Sequence, residues 1–138
     1  MSLGGNFFAM TDKQLQSLLD GSLELDFLYG DLAEKPREVY AQAEWAWLDI
    51  IRVVEDDTAG LAEQTNDIPE TSQYSWAAQV KKIAPKLAAL DDVTFESRYG
   101  ELDGAETGPE ELKKYIDEVV GFFQRAAQHG DAVLFRVT

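Results

Sequence analysis

The sequence predicts an α+β fold, a small sheet that includes both chain termini, packed with about four helices. Three observations lead there. A short apolar run of strand length, Asn6-Phe7-Phe8-Ala9-Met10, lies near the N-terminus. Apolar residues then recur at helical spacing in several segments, most clearly between Pro109 and Gly130. Near the C-terminus, Val133, Phe135 and Val137 fall on one face of a run with strand period. The 138 residues suit one domain over 1–138, and no repeat or linker composition divides them.

The elements follow in order. Thr11-Asp12-Lys13-Gln14 reads as a capping box, in which the Thr11 hydroxyl accepts from the Gln14 amide and Gln14 reaches back. Met10 and Leu15 stand at hydrophobic-staple positions. Leu15, Leu18 and Leu19 face the core, and Gly21 ends the helix. Over residues 22–29, Leu23, Leu25, Phe27 and Tyr29 alternate with Ser22, Glu24, Asp26 and Leu28, which predicts a strand.

Pro36 suits the first turn of a helix. From there Val39, Ala43, Ala46, Trp47, Ile50, Ile51 and Val54 make an apolar stripe. Asp56 to Thr71 reads as a polar loop with one turn near Leu61. Ser75 caps a third helix with Trp76, Val80, Ile83, Ala84, Leu87 and Leu90 inward. Pro85 lies inside it and predicts a kink or break near Ile83–Ala84, because its ring clashes with the Lys81 carbonyl. A short helix restarts at Asp91-Asp92 and buries Phe95 and Tyr99. Residues 100–108 form a Gly-rich acidic loop. The last helix starts at Thr107 or Gly108 before Pro109. It turns Leu112, Tyr115, Ile116, Val119, Val120, Phe123 and Ala126 inward and stops at Gly130. Asp131 opens the final strand.

Composition narrows the function classes. Zero cysteines exclude disulfides, thiolate metal sites and a cysteine nucleophile. One histidine, His129, excludes a multi-histidine metal site. No window approaches the ~20 apolar residues of a membrane-crossing helix. Met1 to Met10 has no basic residue and lacks a signal-peptide pattern, so the expected compartment is the cytoplasm.

The net charge of −14 argues against nucleic acid or an anionic membrane as partner. That charge is concentrated. Residues 31–70 hold 11 acids and 3 bases, and residues 91–111 hold 8 acids and 1 base. The rest of the chain carries a small positive excess. Solvated faces explain such blocks in most proteins; an acidic patch for a basic partner is the sharper alternative. Neither Glu55-Asp56-Asp57 nor Glu101-Leu102-Asp103-Gly104 has the alternating oxygen ligands of an EF-hand loop.

Several segments carry a family likeness: the Phe-rich strand into a capped Leu helix, Leu25-Asp26-Phe27-Leu28-Tyr29, and the Trp45 helix. Leu87-Ala88-Ala89-Leu90-Asp91 with Arg98-Tyr99, and Phe122 through Leu134, complete the set. In this order they resemble the YfbM-like proteins, small bacterial α+β proteins with no assigned activity. The resemblance spans nearly the whole chain and implies fold and a bacterial origin, but no reaction. The family pattern carries a Trp-His pair and a second His three residues on. Trp45 matches the Trp, whereas the His positions fall on Ala46 and Asp49. Imidazole chemistry at those positions therefore does not extend to this member.

Trp45 is the residue that most invites a functional reading. It lies off the apolar stripe, beside Glu44, Asp49 and Arg52. It is either core against a second layer or an anchor for a partner or ligand. His129 falls in a helix's last turn, where a cation is favoured, and no base or nucleophile is spaced to work with it. No Gly-x-Ser-x-Gly or phosphate-cradle pattern occurs. Lys81, Lys82 and Lys86 read as a solvated helix face.

The favoured reading is a non-enzymatic acidic module that binds a basic protein, of inhibitor or toxin-immunity type. Trp45, Asp49, Arg52, Tyr99, Asp56, Asp57 and Asp103 are its candidate contact residues. The alternative is a small-molecule binder or weak hydrolase, with a cleft between the Trp45 helix and the 101–106 loop. A third possibility is self-assembly. No cofactor, metal or catalytic residue is expected.

Overall fold

The computed structural model describes residues 5–23, 27–28, 36–42, 49–50, 52–53, 63–65, 71–102, 104 and 107–137. Its strands are β1 (Gly5–Met10), β2 (Glu38–Gln42), β3 (Glu63–Thr65), β4 (Thr71–Ser75) and β5 (Ala132–Val137). Its helices are α1 (Asp12–Asp20), α2 (Ala77–Ala88), α3 (Asp92–Glu101) and α4 (Pro109–His129). Residues 49, 50, 52 and 53 also have helical backbone.

The strands form one antiparallel sheet in the order β2-β1-β5-β4-β3. As expected, the strands near the two termini belong to it, and they are neighbours. β1 and β5 pair from Gly5↔Val137 to Met10↔Ala132. Both are covered on both faces, so their sequences read as continuous apolar runs. Phe7, Ala9, Val133 and Phe135 face a core shared with α2, α3, α4, Ile50 and Val53. Phe8, Met10, Ala132 and Leu134 face a second core with Leu15 and Leu18 of α1 and with Phe27 and Leu28. Side-chain alternation sends neighbouring residues of one strand into different cores. On the larger side Phe7 meets the rings of Tyr40, Phe122, Phe123 and Phe135.

The cap chemistry reads through to the structure. Thr11 Oγ1 accepts from the Gln14 amide at 3.1 Å, and Gln14 Oε1 accepts from the Thr11 amide at 3.0 Å. Met10 and Leu15 are both buried, as a staple requires. Gly21 (φ +83°) and Gly130 (φ +69°) end α1 and α4 in the left-handed region that a side chain would oppose. α4 begins with Gly108 as its cap and Pro109 in its first turn. α3 is capped by Asp91, which accepts from the Thr94 amide.

Five expectations are corrected. Residues 22–29 are no strand where they are described: Ser22 and Leu23 bend, and Phe27 and Leu28 make a 3-10 turn. Those last two are consecutive and both buried, which a strand against one layer cannot provide. The helix expected from Pro36 is instead strand β2 over Glu38–Gln42. Val39 and Tyr40 have the shapes that fit a pleated surface, and Val39, expected inward, is 47% exposed.

The polar segment 56–71 yields β3 and the start of β4, and Ser75 closes β4 rather than capping α2. That cap is Trp76, whose amide donates to Gln79 Oε1 at 2.8 Å. Trp76 itself meets the Tyr74 ring and packs against the core on the α1 side of the sheet. Finally, α2 runs unbroken through Pro85. Lys81 and Pro85 both lie on its exposed face, where water can serve the carbonyl that the proline leaves without an amide. The expectations for Trp45, Trp47 and the turn near Leu61 concern residues outside those described.

Candidate functional site

The first place where polar groups gather is one end of the sheet. β1 is antiparallel to β2 and β5, so its last residues adjoin the first residues of both: Ala9 pairs with Glu38, and Met10 with Ala132. The residues just before β2 and β5, Arg37 and Asp131, therefore meet there although 94 positions separate them. Each is set by backbone. The Arg37 amide donates to Ala9 O at 2.8 Å, and the Asp131 amide donates to Ala126 O at 2.9 Å as α4 ends. Arg37 Nε then donates to Asp131 Oδ2 at 2.6 Å.

The two partners differ in exposure. The Asp131 side chain is 1% exposed and that of Arg37 is 48% exposed. The pair is joined by one prong. Asp131 Oδ1 is buried without a hydrogen-bond partner among the described residues. A buried acceptor left unserved costs about 1–3 kcal/mol, and more when charged. Beside the pair, Thr11, Gln14, Arg37 and Asp131 line a cleft of about 200 Å³. A second cleft of about 400 Å³ shares Thr11 and Gln14 with it, and adds Lys13, Ser17, Ser22 and Leu23. Ser22 of that lining also bonds Asp20. The hydroxyl and amide of Ser22 donate to that carboxylate and hold it below the usual range.

The second gathering joins the two acid-rich segments. Asp49 is 2% exposed, and its Oδ2 accepts from the Thr107 amide at 2.9 Å. The Tyr99 hydroxyl donates to Thr107 O at 2.8 Å. Nearby, Arg98 Nη1 donates to Val53 O at 2.8 Å. Residues 49–53 of the first acidic block are thus tied to α3 and its following loop in the second. Of the sequence-selected residues, Asp49 and Tyr99 converge on one residue, Thr107, from its amide and its carbonyl side, and Arg52, three positions after Asp49, is half-buried. None of the three lines either cleft. Trp45, Asp56, Asp57 and Asp103 lie outside the described residues.

Other charged groups are structural in their contacts. Arg125 grips Glu38 with two nitrogens, tying α4 to β2, and Glu38 in turn raises the Arg125 pKa above its usual value. Gly121 leaves room for that arginine, since a Cβ there would stand 3.1 Å from Arg125 Nη1. Lys113 bridges Asp92 and Asp117 and lies over the Phe95 ring. Lys81, Lys82, Lys86 and His129 are exposed. Among the described residues no three acidic or histidine side chains converge as metal ligands would, and no helix is long and apolar enough to cross a membrane.

With this geometry in view, the chain can be compared with known proteins. The model of a domain of unknown function, DUF1877, matches residues 1–136. The chain belongs to the DUF1877 family. YfbM from Escherichia coli, whose structure is described as that of a protein of unknown function, superposes with a TM-score of 0.64. It shares 13% identity, over 98% of this chain and 99% of that one. At that identity the likeness concerns the fold, and it agrees with the YfbM-like resemblance read from the sequence. No curated protein matches.

Sequence reasoning missed Arg37 and Asp131. Their pairing depends on strand order, which puts β2 and β5 on either side of β1. The sequence shows Asp131 directly after the Gly130 helix stop, but its burial appears only in the structure.

Proposed function

We propose that this DUF1877 domain is a non-enzymatic protein-binding module whose partner is a basic protein, as an inhibitor or toxin-immunity protein would have. One observation carries the reading. Asp49 to Thr107, and Val53 to Arg98, fasten the two segments that hold the excess acid to each other. Charge spread through a sequence serves solubility; charge gathered on neighbouring segments produces a field that can steer a partner. In this reading Trp45, Arg52, Asp56, Asp57 and Asp103 make the contact. Asp49, committed to Thr107, holds the first segment to the second, and Tyr99 steadies Thr107 within the second.

The test is kinetic. Basic proteins from the source organism are passed over the immobilised domain, and association is followed at low and high salt. A specific partner should associate at least about tenfold faster at low salt. Neutralising Asp56, Asp57 and Asp103 together should remove most of that dependence. Association indifferent to salt and to the triple neutralisation would defeat the reading.

A further inference from the structure

We propose that the cleft between the start of α1 and the Arg37–Asp131 pair binds a small oxyanion, a carboxylate or phosphate group, on the outer edge of the Arg37 guanidinium. The argument begins with what Arg37 leaves over. Its Nε is spent on Asp131. Among the described residues its two terminal nitrogens meet no acceptor, and the side chain is half-exposed at the cleft. A guanidinium edge of two parallel N–H groups matches the two oxygens of a carboxylate or phosphate.

The pair's own geometry supports a role beyond structure. An arginine serving only to neutralise a buried aspartate is best placed as a two-pronged fork, with a terminal nitrogen on the second oxygen. Here Asp131 Oδ1 stays buried and unserved. The protein holds the guanidinium by Nε alone and keeps its outer edge turned away from the carboxylate. Asp131 fixes the orientation, so little order is lost when a ligand arrives.

The surroundings are rich in donors. The Thr11 oxygen accepts from Gln14, which leaves its O–H to donate into the cleft. The adjoining cleft adds the Lys13 ammonium and the Ser17 hydroxyl. Two cations thus line two clefts that share Thr11 and Gln14, in a protein of net charge −14. The acids on α1 are occupied: Asp12 accepts from the Ala77 amide and Asp20 from Ser22. An oxyanion on Arg37 with its body toward Lys13 and Ser17 fits this layout. None of these groups belongs to the partner surface proposed above, so either reading can fail without the other.

The experiment is an NMR titration of the ¹⁵N-labelled protein with sodium phosphate and, separately, sodium succinate, at ionic strength matched with sodium chloride. Saturable shifts are expected at the Arg37 Nε–H and at the amides of Thr11 to Gln14. Saturation by phosphate alone would assign a phosphate ligand, by succinate alone a carboxylate. Arg37→Lys keeps the charge and loses the forked edge; it should weaken binding by about tenfold. Lys13→Gln, at an exposed position that does not threaten folding, should weaken it by about threefold, and Lys86→Gln should not. Shifts no larger than those of chloride, or equal affinity in the Lys13 and Lys86 variants, would overturn the proposal.

Discussion

Asp49 and Asp131 are both almost wholly buried, yet the fold surrounds them in opposite ways. Asp49 receives a backbone amide from Thr107, and the neighbouring Tyr99 hydroxyl secures the other side of that residue. Its carboxylate closes a loop. Asp131 meets a side chain that is itself half in solvent, and one of its oxygens is left over. Its carboxylate orients a cation. A buried acid that bonds to main chain is read most simply as architecture, whereas one that bonds to a half-exposed arginine beside a cleft is a candidate for binding. Burial alone does not distinguish them; the partner's exposure does.

That contrast can be broken by mutation. The largest effect should come from Arg37→Ala, which strands Asp131 without a counter-charge. A loss of about 3 kcal/mol is expected in urea unfolding, at the low end for a broken buried pair because Arg37 is half-exposed. Asp131→Ala should cost clearly less, because Arg37 can turn into water. Equal losses would mean that the two partners are equally desolvated, and the contrast would fall. Next is Asp49→Ala, expected to cost about 2 kcal/mol through the unserved Thr107 amide. Asp49→Asn retains an acceptor oxygen and should recover most of that; failure to recover would show that the negative charge itself is needed.

Smaller effects sharpen the picture. Gly130→Ala should cost about 1 kcal/mol from backbone conformation, since a Cβ there would meet nothing within 4 Å. Because the same helix stop sets the Asp131 amide on Ala126 O, the Arg37 resonance should shift with it; an unchanged resonance would mean that β5 alone places Asp131. Smaller still is a pH effect at α3. The Thr94 amide, donating to Asp91, holds that carboxylate below its ordinary value of 3.8. The folded pKa is the lower one, so the stabilisation is present above pH ~4 and fades as pH falls through the folded value. Asp91→Asn should therefore flatten the acid limb of the stability curve while leaving its slope near neutrality unchanged.

Much of the fold was legible because local chemistry dictated it. Thr11, Gln14, Gly21, Gly130 and Pro109 are cap residues whose roles need no tertiary context. The last helix and both central strands carry their own periodicity. What failed was context-dependent. Glu38–Gln42 has the composition of a helix start, but it lies along β1, where Val39 and Tyr40 suit a pleated edge. Thr71–Ser75 lacks an apolar face of its own and becomes a strand by pairing with β5. Pro85 looked disruptive because the sequence does not reveal that its missing bond faces water. The cleft was illegible for the same reason as β2, since Arg37 reaches Asp131 only once β2 and β5 flank β1.

The strand order also sets a timetable. Of the five described strands β5 comes latest in the chain, and it fills the centre of the sheet between β1 and β4. Until β5 has been made, β1 and β4 lack their shared partner, and neither core can close. Those long-range pairings must form late, at high entropic cost, and slow folding is the usual result. A chain cut before Ala132 would keep its cap motifs and helices but expose two unpaired strand edges, one flanked by Phe7 and Phe8. Premature termination in this protein should therefore yield aggregates rather than a smaller working domain.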